Sequence, residues 1–195
     1  AKGTYDFKVN EDIKSGRIWG SGLYQRTAAN SATTCTPGPC TINFNNNQPG
    51  VTAFAGDVGI KANVYGFEPV LYYYQGRGVG TTGLFLNGFD GTGSQRNSKG
   101  GYGQVSHAFG KWKPSFSYGM SYLYLGSGEQ NNPGSASTLV KSNKMRTQQL
   151  QYSLTKALTL VEEFSTIRSN CQGGADPCGQ GNYATAISLG AILFF

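Results

Sequence analysis

Four groups of residues have types and spacings that could do chemistry. The run Gly78-Val-Gly-Thr-Thr-Gly83 has the glycine spacing of a dinucleotide-binding loop and follows a predicted strand. The chain after it, Leu84-Phe-Leu-Asn-Gly-Phe-Asp-Gly-Thr-Gly93, is broken by glycines and cannot open the helix that such a loop needs. Glu162 and Glu163 are adjacent carboxylates, but on a strand they point to opposite faces and cannot work as an acid/base pair. The single His, His107, lies near Phe109 in a predicted strand and reads as an interfacial, aromatic-like residue rather than a catalytic base. The cysteines form two close pairs, Cys35 with Cys40 and Cys171 with Cys178, each enclosing Pro and Gly. Zinc sites use ligands two to four residues apart and usually His, so these pairs read instead as loop-tip disulfides of an oxidising compartment. Three connectivities are possible; the two local pairings are favoured because each closes a short, turn-rich loop. No enzyme activity, cofactor or metal is expected.

The elements that must position these residues are strands. From Tyr183 to Phe195 the chain alternates strictly, one face reading Tyr183, Thr185, Ile187, Leu189, Ala191, Leu193 and Phe195. A transmembrane β-strand turns such a face to lipid and places its terminal aromatic in the interfacial girdle. The 195 residues include 29 Gly, 12 Tyr and 11 Phe, with only 13% charged; soluble domains carry roughly 25%. Mean hydropathy is slightly negative, and no run approaches the roughly 20 apolar residues of a spanning helix. A barrel explains both, because only alternate residues meet lipid. The absence of a signal peptide suits a mature exported chain.

Alternating segments are predicted at Thr4–Asn10, Arg17–Thr27, Thr52–Val64, Pro69–Val79, Tyr102–Phe109, Lys113–Leu125, Met145–Thr155, Leu158–Arg168 and Tyr183–Phe195. Their connections are short and long by turns, the long ones being Ala28–Val51, Thr81–Lys99, Ser127–Ser142 and the Cys171 loop. That regularity is the habit of an outer-membrane barrel, with short periplasmic turns and long extracellular loops. The fold class expected is all-β: a transmembrane antiparallel β-barrel of about eight or nine strands, residues 1–195 forming one barrel domain or the C-terminal segment of a larger barrel.

Alternation also assigns faces. Val58, Ile60, Ala62 and Val64 would meet lipid, as would Phe116, Tyr118, Met120, Tyr122 and Tyr124, and Leu150, Tyr152 and Leu154. The opposite faces are small and polar, unlike the large apolar side chains of a close-packed core, and imply a water-filled lumen. Its candidate lining is Asp57, Lys61, Asn63, Arg77, Lys113, Gln149, Gln151 and Glu163. Of the two adjacent glutamates, Glu163 is expected inward, with Leu160 and Phe164 outward; otherwise a bulge lies here, or the outward Glu162 sits at a rim or subunit interface. The strand around Ile18–Gln25 carries an aromatic on each face and stays ambiguous. The net charge of +6 comes from scattered basic residues with no cluster or basic helix, which excludes a nucleic-acid surface. Basic residues inside, best assigned for Lys61, Arg77 and Lys113, would favour anions by field focusing; ordinary rim charge against anionic lipid headgroups is an equal reading.

Several runs resemble the C-terminal half of Gram-negative general porins. They are Asp57-Val-Gly-Ile-Lys-Ala-Asn-Val64, Tyr74-Gln-Gly-Arg-Gly-Val-Gly-Thr-Thr-Gly-Leu-Phe85, Phe109-Gly-Lys111, Ser117-Tyr-Gly119, Ser153-Leu-Thr-Lys-Ala-Leu-Thr-Leu160 and Leu189-Gly-Ala-Ile-Leu-Phe-Phe195. The resemblance implies a homotrimeric, roughly 16-stranded channel for passive diffusion of small hydrophilic solutes, with outer-membrane lipid and lipopolysaccharide as surroundings. Such porins are about twice this length, and the N-terminal half, with its constricting loop, has no counterpart here. The C-terminus would be periplasmic and the long loops extracellular. If Thr4–Asn10 is instead a periplasmic tail, eight strands could close a small barrel with little aqueous bore and a structural or adhesive role.

Overall fold

Side-chain alternation gives a strand two chemically different faces, and a computed structural model turns the alternating segments into nine strands. They are β1 (Lys2–Phe7), β2 (Ile13–Thr27), β3 (Val51–Val64), β4 (Phe67–Arg77), β5 (Asn97–His107), β6 (Trp112–Leu123), β7 (Val140–Ser153), β8 (Leu158–Cys171) and β9 (Tyr183–Leu193). The structure describes residues 1–8, 13–27, 50–83, 86–130, 138–173 and 183–194. All nine strands form one antiparallel meander in chain order, β1 pairing only β2 and β9 only β8. Among the described residues the one helical element is a 3-10 turn, Thr81–Gly83, and no helix is long and apolar enough to cross a membrane. The segment expected as a possible N-terminal tail is therefore a paired strand over Lys2–Phe7.

Several strands begin earlier in the chain than their patterning predicts. Tyr65 and Gly66 alone make the β3–β4 turn, with φ of 50° and 81°, so Phe67 and Glu68 already belong to β4. β5 starts at Asn97, not Tyr102, and β7 at Val140, not Met145. The early part of β5 reads as a loop because of Gly100-Gly101, yet those glycines are what its neighbour requires. A Cβ on Gly100 would meet the ring of Tyr74 at 2.6 Å, so the missing side chain makes room for that ring. Gly59 does the same for the indole of Trp19, which lies 2.1 Å from where its Cβ would be. That contact also resolves β2, placing Trp19 on the face of Gly59 and Tyr24 on the face of Phe54.

The register runs through Glu162 and Glu163 without a bulge, Glu163 opposite Gln149 and Glu162 opposite Leu150. Strict alternation therefore sends Glu162 to the apolar face. That face is open to the surroundings: Val58 is 51% exposed, Leu71 62% and Leu189 80%. Buried hydrophobic residues among those described are Ala53, Val79, Leu123 and Cys171. All four lie at the long-connection end. The strand wall itself has no apolar core, and cross-strand pairing holds it together.

Candidate functional site

The face opposite the apolar one gathers charge. Cross-strand pairing aligns Asp6, Arg17 and Lys61 in one row, and Glu68 with Ser106 and then Ser115 in the next strands. Asp6, Arg17, Lys61, Glu68, Gln104 and Lys113, from six successive strands, border one cavity of about 810 Å³. A cavity bordered from so many neighbouring strands means that the sheet curls toward this face. We call it the concave face, and the apolar one convex.

Charges on the concave face are paired across strands. The Arg17 guanidinium donates to both oxygens of Asp6, Nη2 at 2.9 Å. Lys113 Nζ donates to Glu68, which also accepts from Ser106 Oγ at 3.2 Å. Gln151 Nε2 donates to Gln149 Oε1 at 2.8 Å, and Ser165 Oγ donates to Glu163 Oε1 at 2.9 Å. Ser21 Oγ donates to Asp57. Lys61 makes no ion pair among the described residues. These groups can hydrogen-bond water and small polar solutes.

At the long-connection end a second cluster locks two connections together. Arg96 donates through Nε to Glu129 Oε2 at 2.9 Å and through Nη2 to the other oxygen, making a forked, largely buried pair. Its Nη1 donates to the carbonyl of Asn87 at 3.0 Å. Asp90 accepts from the Thr92 hydroxyl at 2.6 Å, from the N–H groups of Thr92 and Ser94 at 2.9 Å, and from Gly128 N–H at 3.0 Å. Burial pushes the Asp90 carboxyl up, but these donors outweigh it and hold its pKa below the ordinary value. For Glu129 the hydrogen bond from Arg96 is the largest influence, and its pKa is also lowered.

Of the candidate lining residues, Asp57, Lys61, Asn63, Lys113, Gln149, Gln151 and Glu163 share the concave face by register. Arg77 does not, which corrects its expected place. It pairs with Phe54 and Asn97 and lies over the Phe54 ring at 5.9 Å, on the convex face. The run Tyr72-Tyr73-Tyr74 hides the parity of β4, and only the register reveals that odd positions there face out. Glu68 was missed because it was counted into the turn. Asp6 and Arg17 were missed because a single strand does not show what lies opposite it.

The remaining expected residues divide between described and undescribed chain. Tyr183, Leu189 and Leu193 share the convex face of β9, opposite Arg168, Glu162 and Leu158; Phe195 lies outside the described residues. Cys171 ends β8, while Cys35, Cys40 and Cys178 lie outside the described residues. His107 stacks on Phe67 with centroids 4.4 Å apart, its Nδ1 3.0 Å from the Gly66 carbonyl, which is a structural role at a turn. Thr81–Gly83 of the glycine-rich run forms a 3-10 turn, and no α-helix follows it among the described residues.

Together these features define an all-β, antiparallel sheet protein with an exposed apolar face and a curled, charged polar face. No family model, curated protein or solved structure matches the chain.

Proposed function

We propose that the chain is the wall of an outer-membrane porin, its convex face against lipid and its concave face lining a water-filled path for small hydrophilic solutes. The observation that carries this reading is the two-faced sheet. Large apolar side chains stand exposed on one side, while paired charges, glutamines and serines border a cavity on the other. A soluble sheet would bury the first face and would not need a curled polar one.

β1 and β9 each pair on one side only. Lipid leaves no water to satisfy their free backbone groups, so a membrane barrel needs further strands between them. This supports a wall that continues into additional strands, as in a porin of about 16 strands assembled as a trimer. An eight-stranded self-closed barrel gains no support from a sheet in which Lys2–Phe7 is paired. The short turns would face the periplasm, and the Cys-bearing connections, with their local disulfides, the outside. Arg17 and Lys113 are neutralised by Asp6 and Glu68, Arg77 lies on the convex face, and Lys61 shares the concave face with the carboxylates of Asp57 and Glu163, so the described charges lend an anion preference no support.

Single-channel recording tests the pore. The purified protein should add stepwise conductance to a planar bilayer, and membranes that stay closed after verified insertion would refute the reading. The intact mass of the native polypeptide tests the wall: a species near 20.8 kDa that folds alone would favour the small barrel.

A further inference from the structure

Glycines on the concave face are filled in two places and left open in a third. The Trp19 indole occupies the space over Gly59, and the Tyr74 ring lies against Gly100. Gly119 differs: the atoms nearest to where its Cβ would be are the Tyr102 Cβ at 3.3 Å and the Gly101 carbonyl oxygen at 3.7 Å, so no ring covers it. The register places Trp19, Gly59, Tyr72, Tyr102, Gly119 and Met145 in one row across β2 to β7. The row is therefore aromatic up to Tyr102, has a gap at Gly119 and resumes at Met145. The Tyr72 and Tyr102 rings are in contact, with centroids 5.5 Å apart, and Tyr102 is 42% exposed.

A pocket of about 290 Å³ is bordered by Tyr102, Gly119 and Met145. It lies beside the charged cavity, with which it shares Gln104 and Gln149, but its chemistry is different. The adjacent row toward the short-turn end, Gln104, Ser117 and Thr147, contributes amide and hydroxyl groups to its border. The side chains of Gln104 and Ser117 have no hydrogen-bond partner among the described residues. One charged residue, Glu163, borders the pocket, and Ser165 and Gln149 donate to its two oxygens at 2.9 and 3.4 Å. No basic residue borders it.

We infer that this notch binds one pyranose ring of a neutral sugar, the apolar C–H face of the ring on Tyr102 and its hydroxyls on Gln104, Ser117 and Thr147. An aromatic face beside a few placed polar groups is the ordinary make-up of a small-molecule site. The pocket falls just under the roughly 300 Å³ at which drug-sized sites begin, which suits a single ring. A flat aromatic solute would cover the same tyrosine but leave the amide and hydroxyl groups without partners, which is costly. A sugar carries hydroxyls around its edge and can both donate to and accept from Gln, Ser and Thr. An anion would meet the Glu163 carboxylate with no cation to offset it. The inference rests on the proposed lumen, to which it adds a binding site on an otherwise passive path, and its test does not require conductance.

Binding of methyl β-D-glucopyranoside to the protein in a sugar-free zwitterionic detergent is measured by saturation-transfer NMR titration. Wild type is compared with Tyr102→Leu, Tyr102→Phe and Gly119→Val, and with Tyr24→Leu, an exposed tyrosine on the convex face, as control. Tyr102→Leu, which removes the ring, and Gly119→Val, which fills the notch, should each bind at least fivefold more weakly. Tyr102→Phe, which keeps the ring, and the control should stay within twofold of wild type. Absence of binding by wild type, or wild-type binding by either Tyr102→Leu or Gly119→Val, overturns the inference. Equal losses in Tyr102→Phe and Tyr102→Leu would show that the ring face does not hold the sugar and also overturn it. Indole that displaces the glucoside at lower concentration would assign the notch to flat aromatic solutes, and tighter binding of methyl glucuronide would assign it to anions; either overturns it. Channel recordings separate the two readings: closed bilayers with intact sugar binding sink the pore alone, and conducting channels without sugar binding sink the notch alone.

Discussion

Two ion pairs in this molecule have the same chemistry and opposite surroundings. Lys113 and Glu68, on the concave face, keep 36% and 44% of their side-chain surface exposed; Arg96 and Glu129, between the long connections, keep 10% each. The buried pair is forked and has further partners on both sides, the Asn87 carbonyl on Arg96 and the Gly126 N–H on Glu129. The exposed pair reaches from β4 to β6 across β5, which backbone pairing already ties to both. The first is built to hold connections in place, and the second leaves its charge available to whatever passes.

The buried pair should therefore give the largest effect. Arg96→Met leaves Glu129 buried without its partner, and breaking a buried pair in this way typically costs about 3–5 kcal/mol. The loss should be local, read as faster proteolysis of the 78–96 and 124–130 segments. The double variant Arg96→Met/Glu129→Leu should recover most of it, because an apolar replacement of both partners is often neutral. A single variant as resistant as wild type would show that the connections are held by something else.

Acid should loosen the same clamp less severely, because a protonated carboxyl keeps some of its hydrogen bonds. Both Asp90 and Glu129 have lowered pKa values in the folded chain. A group depressed on folding contributes stability that is fully present above its unfolded value, about 4 for a carboxyl. That contribution is lost as pH falls through the lowered folded value. Proteolytic protection, measured with a protease active across the range, should be flat from neutral pH to about 5 and decline below about 4. A decline centred near pH 6 would contradict the assignment to these carboxyls.

How much of this was legible in the sequence follows from the range of each interaction. Period-two alternation is local, so all nine strands and the alternating connection lengths could be read from residues such as Val58, Ile60 and Ala62 on one side and Asp57, Lys61 and Asn63 on the other. The early starts of β5 and β7 were not legible, because Gly100-Gly101 and Lys141-Ser-Asn-Lys144 become strand only against β4, β6 and β8. Arg77 was placed on the wrong face because three consecutive tyrosines carry no parity. The clamp was invisible, since Arg96 and Glu129 are 33 residues apart and joined by no motif.

The wall should answer to volume more than to charge. Gly59→Leu would drive a side chain into the Trp19 indole, which already occupies that space. Overpacking of this kind costs about 1–3 kcal/mol. Urea titration of the folded protein should show a lower midpoint, and a simultaneous Trp19→Ala change should restore much of it. If Gly59→Leu is silent, the indole is free to swing away and does not brace β2 against β3.

The exposed pair should give the smallest change in stability and the clearest change in permeation. Exposed pairs contribute about 0–1 kcal/mol, so Lys113→Gln and Glu68→Gln should unfold within that margin of wild type. Each substitution nevertheless strands one charge beside the cavity bordered by Lys61, Asn63 and Gln149. Lys113→Gln leaves Glu68 without its lysine and should move the reversal potential in a salt gradient toward cations. Glu68→Gln leaves Lys113 without its carboxylate and should move it toward anions. Opposite shifts from two ends of one ion pair are hard to obtain unless ions pass the concave face. Shifts of the same sign, or none in conducting channels, would place the conduction path elsewhere and remove the functional distinction between the two ion pairs.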